Sequence, residues 1–474
     1  MHKLNLQLNI FVFAFACALT IPVLVQQGMF MDGVLYASVA KNMAEGYGSF
    51  FEPRFSEVGI AESPIFYEHP PLVFGIQSLF FRLFNSHFLS ERIYSFTTLL
   101  VTILLFRALW KEVSFHIKGI EKMDWLAIFI WLTIPLVYWG YQNNAQENTM
   151  GIFTMCAALF TIKYLFRSKP KLYWPILAGI FTFLASYSKG VPGLFTLGII
   201  PIHFLVFRNH SIKKYLSSFL IIACTLALCY LAIFAYEPAR EHLLNYVNLR
   251  LLGRITEYPT VHSRFVILER IFWELIYVAA LAALILFLLR KRLKEFNWVS
   301  SQKRFIIFFF LIGISASAPV ALTMVQKGFY ILPSFPYYAI SIALLVAYGL
   351  QSRLQTIKNE KKVSNVFTII NVVTFVTIIG ISYSLYGKFN RHETRLKTVE
   401  QIKKHIPERS TIGIYHNLWE DWEFQCYMIR YGTYSLNYRK LQDYHLTQDS
   451  VPNGYTLIEQ LPKYQLYRKN SIEL

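Results

Sequence analysis

Apolar residues fall in long blocks, with the polar residues gathered between them. The blocks lie at approximately 8–26, 91–109, 124–140, 149–166, 172–187, 191–207, 216–236, 270–289, 305–325, 330–350 and 364–386. Each approaches the roughly 20 residues that cross a bilayer as a helix. The pattern predicts an all-α polytopic membrane protein with about 11 transmembrane helices. Two junctions are tight: Lys189-Gly190 ahead of Pro192, and Lys327 ahead of Pro333. Closely turned helices at membrane depth require neighbouring protein or a wet cavity to satisfy the backbone.

Three hydrophilic regions remain. Residues 27–90 form a loop too long for a plain connection, so it has structure or a task of its own. Within it, 33–46 and 71–84 are apolar stretches too short to span, and both read as helices lying in the membrane interface. The second region is 237–269, rich in Arg, His, Tyr and Asn. The third is the tail from about 389. There, 391–405 places Leu396, Val399 and Ile402 at helical spacing before Pro407. Thr411–Tyr415 and Gly454–Glu459 read as strands. The expected organisation is a membrane domain over 1–388, including loop 27–90, and a small external α/β domain over 389–474.

Composition supports this picture. Only 16% of the 474 residues are charged and 55% are hydrophobic, against about 25% charged in a soluble domain. The net charge of +18 would suggest nucleic acid in a soluble protein. Here Lys and Arg cluster between apolar blocks, so nucleic acid is set aside. Placing the N-terminus in the cytoplasm puts Lys111, Lys118, Lys163, Arg167, Lys213, Lys291 and Lys358 inside. The connections 141–148, 188–190 and 326–329 then lie outside, as does the tail. Cys17, Cys156, Cys224, Cys229 and Cys426 form no CxxC pair and indicate neither a disulfide framework nor a zinc site.

Chemistry-bearing residues gather at the predicted external ends. Asp32 follows the first span among apolar neighbours, where desolvation would make its carboxylate a better base. It is equally a preferred cap for the next helix. Glu68-His69 precede Pro70-Pro71, which force an extended approach and then a helix start. This pair could contribute to a divalent metal or phosphate site, or simply mark a helix entry; a metal needs three or four ligands. Glu147 enters an apolar helix, a position that is expensive for a carboxylate, although it also complements the helix N-terminus. Lys189 lies between two spans and could snorkel. Arg250 and Arg254, with His262 nearby, suit a phosphate through the guanidinium fork or lipid headgroups generally. Lys327 and Tyr330 enter a late span from the same side. Transporter charges concentrate at the midplane; these sit at segment ends.

Asp32 with Tyr36 and Ala37, EHPPL at 68–72, Glu147 before an apolar helix and SKGVPG at 188–193 occur in the order seen in GT-C superfamily glycosyltransferases. Over about residues 10–350 the chain resembles the protein O-mannosyltransferase and lipid A aminoarabinose transferase type. It departs from that pattern at Gly33, where the family usually has Glu, and at His69, where the aminoarabinose transferases have Lys. The resemblance implies a GT-C fold in the inner membrane. It also implies transfer of a sugar from a polyprenyl-phosphate carrier to a lipid, glycan or protein acceptor on the external side, with inversion. Asp32 would be the base. Glu147 would orient the acceptor or Lys189. Lys189 with Arg250 or Arg254 would meet the phosphate, and Tyr36, Glu68, His69, His262, Lys327 and Tyr330 would line the substrate site. A secondary transporter or lipid flippase is the competing reading, and a non-enzymatic envelope scaffold is a third.

Overall fold

The computed structural model describes residues 2–58, 63–253, 259–294, 300–448 and 453–470. Each of the eleven apolar blocks is largely helical. Among the described residues, eight helices are long and apolar enough to cross a membrane, and a ninth crossing arises if one bent pair counts as a single span. That pair is Asp124–Leu132 and Pro135–Gln142, bent by 77°. Tyr173–Lys189 has 17 residues, and Val191–Phe207 is likewise short. Length and composition therefore support eight or nine crossings, where the sequence predicts about eleven.

The breaks have local causes. Pro135 has no N–H and starts a new helix. The amide of Leu136, freed at that break, donates to Glu274 Oε2 at 2.9 Å. Arg270 holds the other side of the same carboxylate at 2.6 Å. Gly190 ends Tyr173–Lys189 at φ +88°, a conformation that glycine adopts without strain. A Cβ on Gly193 would lie 2.4 Å from the Ala185 carbonyl carbon, so only glycine lets the returning chain pack this closely.

The chain divides into two units. The first comprises Met1–Val23, Ser95–Arg240 and Leu251–Ser384 and carries the long apolar helices. Its most enclosed helical segment is Gly328–Gln355, 83% buried over its apolar window, against 11% for Ile212–Phe234 and Glu360–Leu385. The latter two present most of their surface outward, as lipid-facing helices do.

The second unit comprises Leu24–Tyr94, Glu241–Arg250 and Leu385–Leu474. It contains a five-stranded sheet of β1 (Thr411–Ile414), β2 (Ser435–Asn437), β3 (Tyr444–Thr447), β4 (Tyr455–Gln460) and β5 (Gln465–Lys469), in the order β2-β1-β3-β5-β4. β1 is parallel to β2 and β3, while β5 runs antiparallel to β3 and β4. Two helices expected in the membrane interface, Met31–Ala44 and Leu72–Leu83, also belong here. Met31–Ala44 is buried along nearly its whole length. Its Val34, Tyr36 and Val39 share one core with Val399, Phe424 and Tyr427 of the tail, so its apolar residues serve a protein core. Leu72–Leu83 does keep an exposed apolar side at Leu79 and Leu83.

Candidate functional site

The predicted site residues fall into two clusters, one in each unit. In the second unit, Asp32 lies in the first turn of Met31–Ala44, half-buried. Phe30 occupies the cap position and no side-chain cap is made. Asp32 is thus inside the helix, where its charge suits the positive end of the dipole. Tyr36 follows one turn later on the same face. Its hydroxyl lies 3.5 Å from His69 Nε2, and the two rings meet edge-on at 5.6 Å.

Pro70-Pro71 act as the sequence predicts: a helix begins at Leu72, and His69 and Glu68 are fixed just before it. Glu68 Oε2 takes Arg250 Nε at 2.8 Å. His242 was not singled out from the sequence. It lies in Glu237–Asn245, and its Nε2 is 3.1 Å from the His69 carbonyl. Its ring also lies 5.4 Å from that of Tyr67. Burial lowers the His242 pKa below the ordinary 6.5, opposed only by its backbone hydrogen bonds. The ring is therefore neutral at pH 7 and acts as a brace. Among the described residues, the pair Glu68 and His69 is joined by no third His, Cys, Asp or Glu that could complete a metal site. Glu68 is committed to an arginine. With fewer than three ligands a divalent metal has no cage, and no step is routed through one.

The second cluster lies in the first unit. Glu147 stands in the first turn of Gln146–Phe166, and Lys189 is the last residue of Tyr173–Lys189. They pair at 2.5 Å with side-chain exposures of 1% and 6%. The Lys189 ammonium also sits over the Phe329 and Tyr330 rings, at 5.4 and 5.5 Å, an arrangement that offsets part of the desolvation of a buried cation. A cavity of about 20 Å³ touches Glu147, Tyr141, Asn148 and Leu332. That is the size of a single water, not of a sugar. Lys327 and His262 belong to this unit too, and both are exposed. Arg254 lies outside the described residues.

Residues 68–236 match the family model of dolichyl-phosphate-mannose-protein mannosyltransferases. The matched stretch includes Glu68, His69, Glu147 and Lys189 and begins after Asp32. No curated protein sequence matches the chain. Two crystal structures of ArnT from Cupriavidus metallidurans align almost end to end. The form bound to undecaprenyl phosphate is 12% identical, with 98% of each chain covered and a TM-score of 0.63. The apo form is 11% identical, covers 98% of this chain and 97% of that one, and has a TM-score of 0.64.

The chain has the GT-C fold.

The coverage leaves almost no residue of either protein unmatched. The resemblance read from Asp32, EHPPL, Glu147 and SKGVPG therefore points to the right fold.

Proposed function

We propose that this protein is a glycosyltransferase of the membrane that moves a sugar from a polyprenyl-phosphate carrier to an acceptor hydroxyl on the external side of the plasma membrane. The observation that carries this reading is the end-to-end match to ArnT, one of whose structures holds undecaprenyl phosphate. The mannosyltransferase family match over 68–236 supports it independently.

In this reading Asp32 is the general base. It takes the proton of the acceptor hydroxyl as that oxygen attacks the anomeric carbon of the sugar. The bond from that carbon to the phosphate oxygen breaks with inversion, and polyprenyl phosphate leaves with the electron pair. Arg250 meets the phosphate. Its guanidinium carries five donors in a rigid fork, and Glu68 at its Nε sets the direction of the fork. In the other unit, Glu147 fixes the ammonium of Lys189. Electrostatic stabilisation of a leaving anion is commonly the largest catalytic contribution.

Asp32→Asn tests the base. It preserves shape and hydrogen bonding but cannot take a proton. Transfer should fall by about 10²-fold or more, while binding of the polyprenyl-phosphate sugar is unchanged. Wild-type transfer in this variant would remove Asp32 from the chemistry. Binding of the sugar-free carrier, measured in parallel with Arg250→Ala, should weaken; unaltered affinity would place the phosphate elsewhere.

A further inference from the structure

The second unit contains an arrangement that the proposed chemistry does not yet use. Six residues, 25–30, separate the first long helix from the helix bearing Asp32. They have no helix of their own to hold them, so the position of Asp32 depends on what binds this link. The tail binds it twice.

The first hold is a backbone strap. Gly387 N–H donates to the Val25 carbonyl at 2.9 Å, Gln27 N–H to the Lys388 carbonyl at 2.8 Å, and Asn390 N–H to the Gln27 carbonyl at 2.9 Å. The Gln27 side chain adds a bond to the Gly387 carbonyl at 3.1 Å. Gly28 sits at φ +84°, and a Cβ there would lie 2.2 Å from the Arg391 carbonyl oxygen. The close approach of the two segments requires glycine at this position.

The second hold is a single hydroxyl. Tyr427 lies on Trp422–Gly432 and is fully buried. Its Oη accepts from the Met29 N–H at 3.1 Å and donates to the Met29 carbonyl at 3.0 Å. Both polar groups of one residue, three positions before Asp32, are thus satisfied by one side chain. The same helix is anchored by Arg430, whose guanidinium takes Glu91 at 2.7 Å and lies over the Phe81 ring at 4.8 Å. Ser38, on the Asp32 helix, donates to the Cys426 carbonyl at 3.3 Å. The charge of Asp32 is also among the causes that push the buried Cys426 thiol up, after burial itself.

We infer that the tail is the device that positions Asp32, and that Tyr427 is a positioning residue for the transfer reaction. This rests on the reading of Asp32 as base. The hydroxyl of Tyr427 fixes the last turn of backbone before the base, so its loss displaces the carboxylate without touching substrate. Small displacements of a reacting group carry large rate penalties.

The test is Tyr427→Phe in the full-length protein, with turnover measured per folded molecule. It keeps the ring and its packing and removes only the oxygen. Turnover should fall by about tenfold, with KM for the donor unchanged. In the Asp32→Asn background, the same substitution should produce no further loss in the residual single-turnover rate, because there is no base left to misplace. A purely structural role would lower both backgrounds by the same factor, and that result overturns the inference. If Tyr427→Phe does not fold, the milder Gln27→Ala, which removes only the side-chain bond to Gly387, should give a smaller loss of the same kind; an unchanged turnover overturns the inference. Full activity of Asp32→Asn alone would sink the base reading and this inference with it. An inactive Asp32→Asn beside a fully active Tyr427→Phe would sink only the positioning role.

Discussion

Glu147 and Lys189 show how a charged residue survives inside this membrane protein. Each side chain is almost completely enclosed, and an isolated charge there would be far more expensive than a pair. Removing one partner should therefore cost more than removing both. Glu147→Gln is expected to destabilise the protein by about 3–5 kcal/mol, the usual cost of orphaning a buried charge. Glu147→Gln combined with Lys189→Met should recover most of that loss, as read by urea unfolding in detergent. A double variant no more stable than the single would show that the pair is not the stabilising unit. If Lys189 also neutralises the leaving phosphate, transfer stays low in the double variant although stability returns. The sequence exposes both residues as charges at span ends, but not their pairing, which no local periodicity encodes. Arg430 and Glu91 were hidden for the same reason. One sits in a polar-looking tail and the other at the first turn of a span, and only the fold makes them a buried pair.

At the scale of elements, hydropathy makes the long helices legible, because a single burial environment acts over some 20 residues. The bend within 124–140 is not legible as a bend: Pro135 marks it, but the acceptance of the Leu136 amide by Glu274 comes from a helix far along the chain. The tail strands are legible only in part. β1 and β4 agree with the expected Thr411–Tyr415 and Gly454–Glu459 to within a residue or so, whereas β2, β3 and β5 are short and lack clear alternation. The sequence offers Glu237–Asn245 only as part of a polar region, yet this helix delivers His242 to the back of the EHPPL turn. Its titration has a defined sign. Burial holds the folded pKa below the ordinary 6.5, so the unfolded chain takes up a proton first as the pH falls. The contribution of neutral His242 is full above about 6.5 and is lost as pH drops through that value towards the folded pKa. His392 and His445 in the same unit are lowered too, both chiefly by burial. Thermal stability should thus decline on acidification from pH 7.5 to 5.5, and His242→Gln should make the decline shallower. An identical slope in wild type and variant would mean that His242 does not titrate on unfolding.

At the scale of the whole molecule, the number of membrane crossings is constrained by a core rather than by hydropathy. Residues of loop 27–90 and of the tail share one continuous hydrophobic cluster, and 241–250 belongs to the same unit. A single core cannot be divided by a bilayer, so all three segments lie on one side. The chain between them must cross an even number of times in each excursion. From 251 to 384 the long helices are Val266–Leu289, Ser301–Leu322, Gly328–Gln355 and Glu360–Leu385, an even set. From 95 to 240 they are only Ser90–Ser114, Gln146–Phe166 and Ile212–Phe234, an odd set. One more crossing is then needed, from the bent pair Asp124–Leu132 and Pro135–Gln142 or from one of the short helices Tyr173–Lys189 and Val191–Phe207. If the bent pair crosses as one span, those two short helices either both cross or both stay. Eight crossings are excluded, while nine and eleven remain consistent. The sidedness we propose follows the clustered Lys and Arg, since short basic loops favour the cytoplasm. Reporter fusions at Glu57 and Gln448 should both give external signals, and one at Lys358 a cytoplasmic signal. A fusion at Lys169, in the connection before Tyr173–Lys189, should be cytoplasmic, because three crossings separate it from loop 27–90 if the bent pair spans: Ser90–Ser114, the bent pair and Gln146–Phe166. An external signal at Lys169 would mean that the bent pair re-enters on one side and that one of the two short helices alone supplies the remaining crossing.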